Sequence, residues 1–226
     1  MEQRKLVKPL QPRHELLSAT ERDAIVARHL REHLSALGLA EIRPRTWVDG
    51  SGPPVRRMFD LIILKGAKMR VRWGFSLDFV PHISGGRLRW HRSETTAIFD
   101  VIIEPSESIL PWPSFIHGAA QLHDDLNRLL PAAAKSAEET WRHGETIRGL
   151  LDVVREIREG KTNCFPFDNY VQLPLTHAIL LARLGDLAGA ERELDRYGSR
   201  FRLRDDTLKN LKNLAREYFR NVDAAE

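Results

Sequence analysis

The sequence is short of almost everything that announces chemistry. It holds one cysteine, Cys164, which excludes a disulfide framework and points to a reducing compartment. No run approaches the roughly 18 apolar residues of a membrane span. The opening MEQRKLVKPL carries charge but no apolar leader core, so the expected setting is the cytoplasm, away from membranes. Glycine-rich phosphate loops are missing, and no Ser or Cys stands in a nucleophile elbow. Cys164 lies between Asn163 and Phe165 with no adjacent base and reads as a small apolar filler.

What is present is an ordinary globular composition. A chain of 226 residues can bury about 70% of its unfolded surface without staples. With 42% hydrophobic and 29% charged residues, the disordered and fibrous classes drop out. The net charge of +4 is unevenly placed: residues 1–104 carry 18 Lys and Arg against 12 Asp and Glu, and residues 105–226 carry 17 against 19. The basic half suits an acidic partner or nucleic acid, and it is also compatible with a plain solvated surface.

The strongest local signal is KMRVRWGFSLDFV at 68–80. Met69, Val71, Trp73, Phe75, Leu77 and Phe79 alternate with Lys, Arg, Arg, Gly, Ser and Asp. A period of two predicts a strand with one buried and one wet face. Residues 1–17, with Pro9 and Pro12, read as an arm. Ser18 and Glu21 fit a capping box ahead of a helix whose Val26, Leu30, Leu34 and Leu37 share a face and which Gly38 ends. Residues 39–49 read as an edge strand, because Pro44 cannot donate to a ladder. Strands over 55–64, 68–80 and 87–104, the last broken near Ser93, follow on short turns that force antiparallel neighbours.

After a proline-rich connection at 105–114 the periodicity becomes helical. Helices are expected over 115–129, 132–142, 144–159, 172–184, 187–197 and 205–221. Strands followed by helices predict an α+β fold. In it an N-terminal helix packs on an antiparallel sheet of four or five strands (18–104), and an all-helical region (115–226) completes the chain.

Within that region Leu184-Gly185-Asp186-Leu187-Ala188-Gly189-Ala190-Glu191-Arg192-Glu193-Leu194 resembles the turn and second helix of a tetratricopeptide unit, over 173–197. A solenoid needs about three such units and no second copy occurs at the required period. The resemblance therefore implies one helical hairpin, of a scaffold class that presents a surface. The whole chain also loosely resembles uncharacterised bacterial domains that join a helix-plus-antiparallel-sheet unit to such a hairpin, which implies no mechanism.

His29-Leu30-Arg31-Glu32-His33 resembles the inverted zinc-peptidase motif, in which two imidazoles one helical turn apart grip a zinc ion and the glutamate activates water. No acidic pair follows in a helix to supply the third ligand, since Asp49 and Asp60 fall in or beside strands. His117 and His123 sit on different faces of their helix. Neither group is expected to hold a metal, and no cofactor is expected.

The remaining constellation is basic. Lys68, Arg70 and Arg72 share one face of the central strand, and Arg87, Arg89, His91 and Arg92 lie on the return. Interleaved Trp73 and Trp90 suggest base stacking, yet Trp73 belongs to the face opposite the arginines, and a sheet that reads RNA exposes its aromatics. Cross-strand ion pairs are the simpler expectation. A hairpin centred on Gly85 pairs Arg70 with Asp100 and Asp78 with Arg92. A neighbouring register pairs Arg72 with Asp100 and Lys68 with Glu104.

No titratable set has the spacing of a nucleophile with its base, a paired-carboxylate site or a three-ligand metal centre. The sequence thus points to a non-enzymatic cytoplasmic bacterial protein that binds another protein as an immunity, adaptor or defence-system component. The alternative is nucleic-acid binding through Lys68, Arg70, Arg72, Arg87 and Arg89. A remote one is a zinc hydrolase built on His29, Glu32 and His33.

Overall fold

Ser18 starts the first helix as its sequence predicts. In the computed structural model, which describes residues 17–223 apart from 51, 53, 91, 92 and 161, its hydroxyl accepts the Glu21 amide proton at 3.2 Å and the Glu21 carboxylate accepts the Ser18 amide proton at 3.0 Å. This capping box opens α1 (Ala19–Leu34), which buries Val26, Leu30 and Leu34. A short 3-10 turn follows, and Gly38 ends it in the left-handed conformation at φ 75°. The arm expected over 1–17 lies, except for Leu17, outside the described residues.

The segment expected as one edge strand is a hairpin, β1 (Leu39–Arg43) and β2 (Thr46–Asp49). Pro44 is its turn residue, not an edge marker, and Arg45 beside it takes a positive φ of 66°. Next come β3 (Val55–Ile63) and β4 (Met69–Leu77), paired antiparallel along their full length from Val55 opposite Leu77 to Ile63 opposite Met69. The return strand is much shorter than predicted. Between β4 and β7 (Val101–Ile103) the chain leaves the sheet to form a separate ribbon, β5 (His82–Ser84) with β6 (Arg87–Arg89), then a 3-10 turn at Glu94–Thr96.

The antiparallel sheet therefore runs β1-β2-β3-β4-β7. Both expected registers fail, because β7 places Ile103 opposite Trp73 and Val101 opposite Phe75. Asp100 is instead buried as an acceptor, taking the Leu77 amide proton at 2.6 Å and the Gln172 amide at 2.7 Å. Arg92, the other half of the predicted pair with Asp78, is outside the described residues. Gly74 explains how β7 comes so close: a Cβ there would stand 2.0 Å from the Val101 carbonyl oxygen, a gap that only glycine leaves open.

Opposed residues in an antiparallel ladder share a face, so Trp47, Phe59, Trp73 and Ile103 form one row across four strands. Helix α1 and α2 (Gly118–His143) cover this face. The Trp141 indole donates to the Gly74 carbonyl at 3.0 Å, and the Trp73 indole donates to the Thr140 hydroxyl at 3.0 Å. Two helices were expected where α2 is continuous. Pro131 is exposed inside it, while Leu126, Leu129, Leu130, Ala133, Ala137 and Trp141 bury one unbroken stripe. That burial outweighs the roughly 3 kcal/mol a mid-helix proline costs.

The opposite face of the sheet is not wet, as the alternation implied. Arg70 is 6% exposed and Ser76 fully buried, and Val48, Met58 and Ala97 form a small second core with Ile42 and Phe99. The helices then follow the predicted order: α3 (Ile147–Arg158), α4 (Gln172–Arg183), α5 (Leu187–Arg200) and α6 (Asp205–Asp223). Residues 173–197 fold as two helices joined by a short turn, with Gly185 at φ 84° and the Asp186 carboxylate accepting the Gly189 amide proton at 2.7 Å. Helix α4 is apolar nearly all round and sits at the centre, and the main core is continuous from Val26 to Ala215.

His177 of α4 is buried against the Phe167 ring, with Arg158 at 3.2 Å and Glu193 at 3.9 Å. Burial is the main force lowering its pKa to about 4, and the Arg158 charge adds to it. A histidine depressed in the folded state is protonated first when unfolded, so its contribution is present above its ordinary value near 6.5 and is lost as the pH falls towards 4. Chemical denaturation at pH 7.5 and pH 5 is expected to show a fall of about 2 kcal/mol from this group. His177→Gln should flatten that part of the slope, and an unchanged slope would contradict the burial argument.

Candidate binding cleft

The predicted contact residues do not form a presented ladder. Lys68 pairs with Glu107 at 2.7 Å at the surface. Arg70 is turned inward onto Glu104, with the Trp112 and Phe165 rings 4.9 and 5.4 Å from its guanidinium and the Cys164 sulfur 3.0 Å from Nη1. Tyr170 donates to the other side of Glu104 at 2.6 Å. Arg72 holds Asp60 with two hydrogen bonds, one of 2.8 Å from Nε. Burial pushes the Asp60 carboxyl up against the opposing pull of Arg72, and burial with the Glu104 charge pushes the Tyr170 phenol up. Two cations and two carboxylates thus cancel inside the protein.

Arg87 and Arg89 are brought nowhere near them. They stand exposed on β6, in the separate ribbon, with no ion pair to a described residue. The ribbon tip is fixed by the Thr207 hydroxyl and the Arg204 guanidinium, both donating to the Gly86 carbonyl at 2.9 Å.

Of the histidine motif, His29 is turned inward, while Glu32 is exposed and His33 half-buried. His29 is buried, and its Nε2 lies 2.7 Å from Nδ1 of His123 on α2, with Arg28 3.2 Å from the same nitrogen. Burial, then the His123 charge, lowers its pKa. No three His, Cys, Asp or Glu side chains among the described residues converge as a metal site. The His29–His123 contact joins residues 94 positions apart, which no local pattern marks.

An opening that sequence reasoning missed lies at the β7 edge, between the sheet and the C-terminal half of α2. It is a cleft of about 410 Å³ lined by Trp73, Ile103, Pro105, Ile109, Leu110, Val153 and, on its polar side, Ser136, Glu139, Thr140, His143, Glu156 and Thr162. Each element supplies a wall for a local reason. Trp73 belongs to the covered row of β4, Val153 to the buried stripe of α3, and Ile109 and Leu110 to a turn in the proline-rich connection. Ile109 is 54% exposed. The Thr140 hydroxyl accepts from Trp73 at 3.0 Å and donates to the Ser136 carbonyl at 2.9 Å, tying the sheet to α2.

The outer edge of β7 is closed to further strands. Asn163 accepts the Glu104 amide proton at 2.9 Å and donates to the Ile102 carbonyl at 2.8 Å, and the Cys164 amide donates to the Glu104 carbonyl at 2.8 Å. One side chain thereby stands in for a neighbouring strand.

No protein-family model, no curated protein and no solved structure matches this chain.

Removing the Asn163 amide leaves one backbone donor and one acceptor of an edge strand without partners. Asn163→Ala is expected to cost roughly 1–3 kcal/mol in urea denaturation and to increase self-association in sedimentation. A variant as stable and as monodisperse as the wild type would show that this edge needs no cap.

Proposed function

We propose that the chain acts by binding another protein, as an adaptor or immunity-type component, and does no chemistry of its own. The observation that carries this reading is the cleft beside β7, where a floor of the nearly buried Trp73, Ile103 and Val153 leads out over half-buried Leu110 to the exposed Ile109. Apolar surface left open at a concave site and rimmed by polar groups is the usual mark of an interaction site. The Thr140 hydroxyl in its wall is engaged in packing the sheet against α2, accepting from Trp73 and donating to the Ser136 carbonyl. The arginines that suggested phosphate contact, Arg70 and Arg72, are spent on Glu104 and Asp60, which weakens the nucleic-acid alternative. Arg87 and Arg89 keep that alternative testable.

The test uses the tagged chain expressed in its native host, purified in parallel as wild type and as Ile109→Glu, with bound proteins identified by mass spectrometry. The reading expects one protein at near-stoichiometric level on the wild type and at least tenfold less on the variant. Nucleic acid retained in a salt-sensitive manner and lost in an Arg87→Glu, Arg89→Glu variant, with no such protein, would overturn it.

A further inference from the structure

We infer that the cleft receives a segment of the partner that carries an apolar side chain beside a lysine or arginine. This rests on the reading of the cleft as a protein-binding site and adds the chemistry of its occupant. The charge of the lining selects it. Among the described residues Glu139, Glu156 and His143 are the ionisable residues of the wall, and no Lys or Arg joins them. Both carboxylates are exposed, and neither pairs with a described residue. Their neighbours on the same helices do find partners: Asp152 pairs with Arg155 and Asp125 with Arg128. Two carboxylates without an ion-pair partner among the described residues, at the rim of an apolar floor, complement a cation on an apolar stem. Rim charges of this kind govern orientation and association rate.

Size and shape select a segment over a small molecule. The volume of about 410 Å³ is near the low end of ligand pockets, roughly 300–1,000 Å³, which normally enclose most of their ligand. Here the apolar surface runs out over Ile109, 54% exposed, where a segment crossing the lip would cover it and a lone small molecule would not. The segment does not bind as an added strand, because Asn163 and the Cys164 amide already occupy the β7 edge and strand addition needs a free edge. It is held by side chains.

A phage-displayed library of random 12-residue peptides is selected on the full immobilised chain, and enriched peptides are synthesised and measured by fluorescence anisotropy. Glu139→Lys, Glu156→Lys is the comparison, with circular dichroism to confirm its fold, and both positions are exposed. Enriched peptides are expected to place Leu, Ile, Val or an aromatic within three residues of Lys or Arg. Their affinity should fall at least tenfold in the charge-reversed variant and weaken with salt, and the variant should itself select acidic peptides. Enriched peptides without basic preference, lost on Ile109→Glu but indifferent to the charge reversal, overturn the occupant's chemistry and leave the protein-binding reading standing. If octylamine or tryptamine binds the wild type and no peptide is enriched, both fall.

Discussion

Burying a guanidinium against a β-sheet is costly unless a carboxylate meets it with good geometry, and the second face of this sheet is built around one such meeting. Arg70 and Glu104 are both almost fully buried. Tyr170 completes Glu104, while Trp112 and Phe165 flank the guanidinium. This binds four separate stretches of chain to one spot: the central strand, the end of β7, the proline-rich connection and the loop before α4. The neighbouring Arg72–Asp60 pair repeats the arrangement one step along the sheet. With these pairs in place, a face that would otherwise be wet becomes a second interior layer.

Closing that face also shapes the cleft beside β7. The loop that brings Phe165 and Tyr170 over Arg70 also carries Asn163 to the β7 edge. The connection that brings Trp112 over Arg70 also lays Ile109 and Leu110 beside Trp73. The cleft is thus a by-product of how the ionic layer is covered, and the carboxylates Glu139 and Glu156 on its other side belong to α2 and α3. Basic charge is turned inward on one face and acidic charge is left outward at the opening.

Local signals in the sequence were legible because local physics decides them. The capping box at Ser18, the apolar stripe of α1, the alternation of β4 and the order of the last four helices all appear where periodicity and caps place them. Pattern could not separate a polar residue facing water from one facing a buried partner: Arg70 and Asp60 look the same in either state. Pro44 was readable as a ladder breaker, but not as the turn it makes. The register of β7 depends on a ribbon that leaves the sheet for more than a dozen residues and on the absent Cβ of Gly74. The His29–His123 contact, the Asn163 cap and the cleft each join residues far apart in sequence, and nothing in one chain's local chemistry marks them.

A double-mutant cycle on Arg70 and Glu104 tests most directly whether the basic face is internal structure. Urea denaturation of Arg70→Met, Glu104→Leu and the double variant gives the coupling. Breaking a buried pair by removing one partner typically costs about 3–5 kcal/mol, whereas replacing both with apolar residues of similar volume restores much of it. The account predicts that pattern, with the double variant more stable than either single one. Single variants as stable as the wild type, or costs that simply add, would show that Arg70 does not depend on Glu104 and would return its charge to the surface as a binding group.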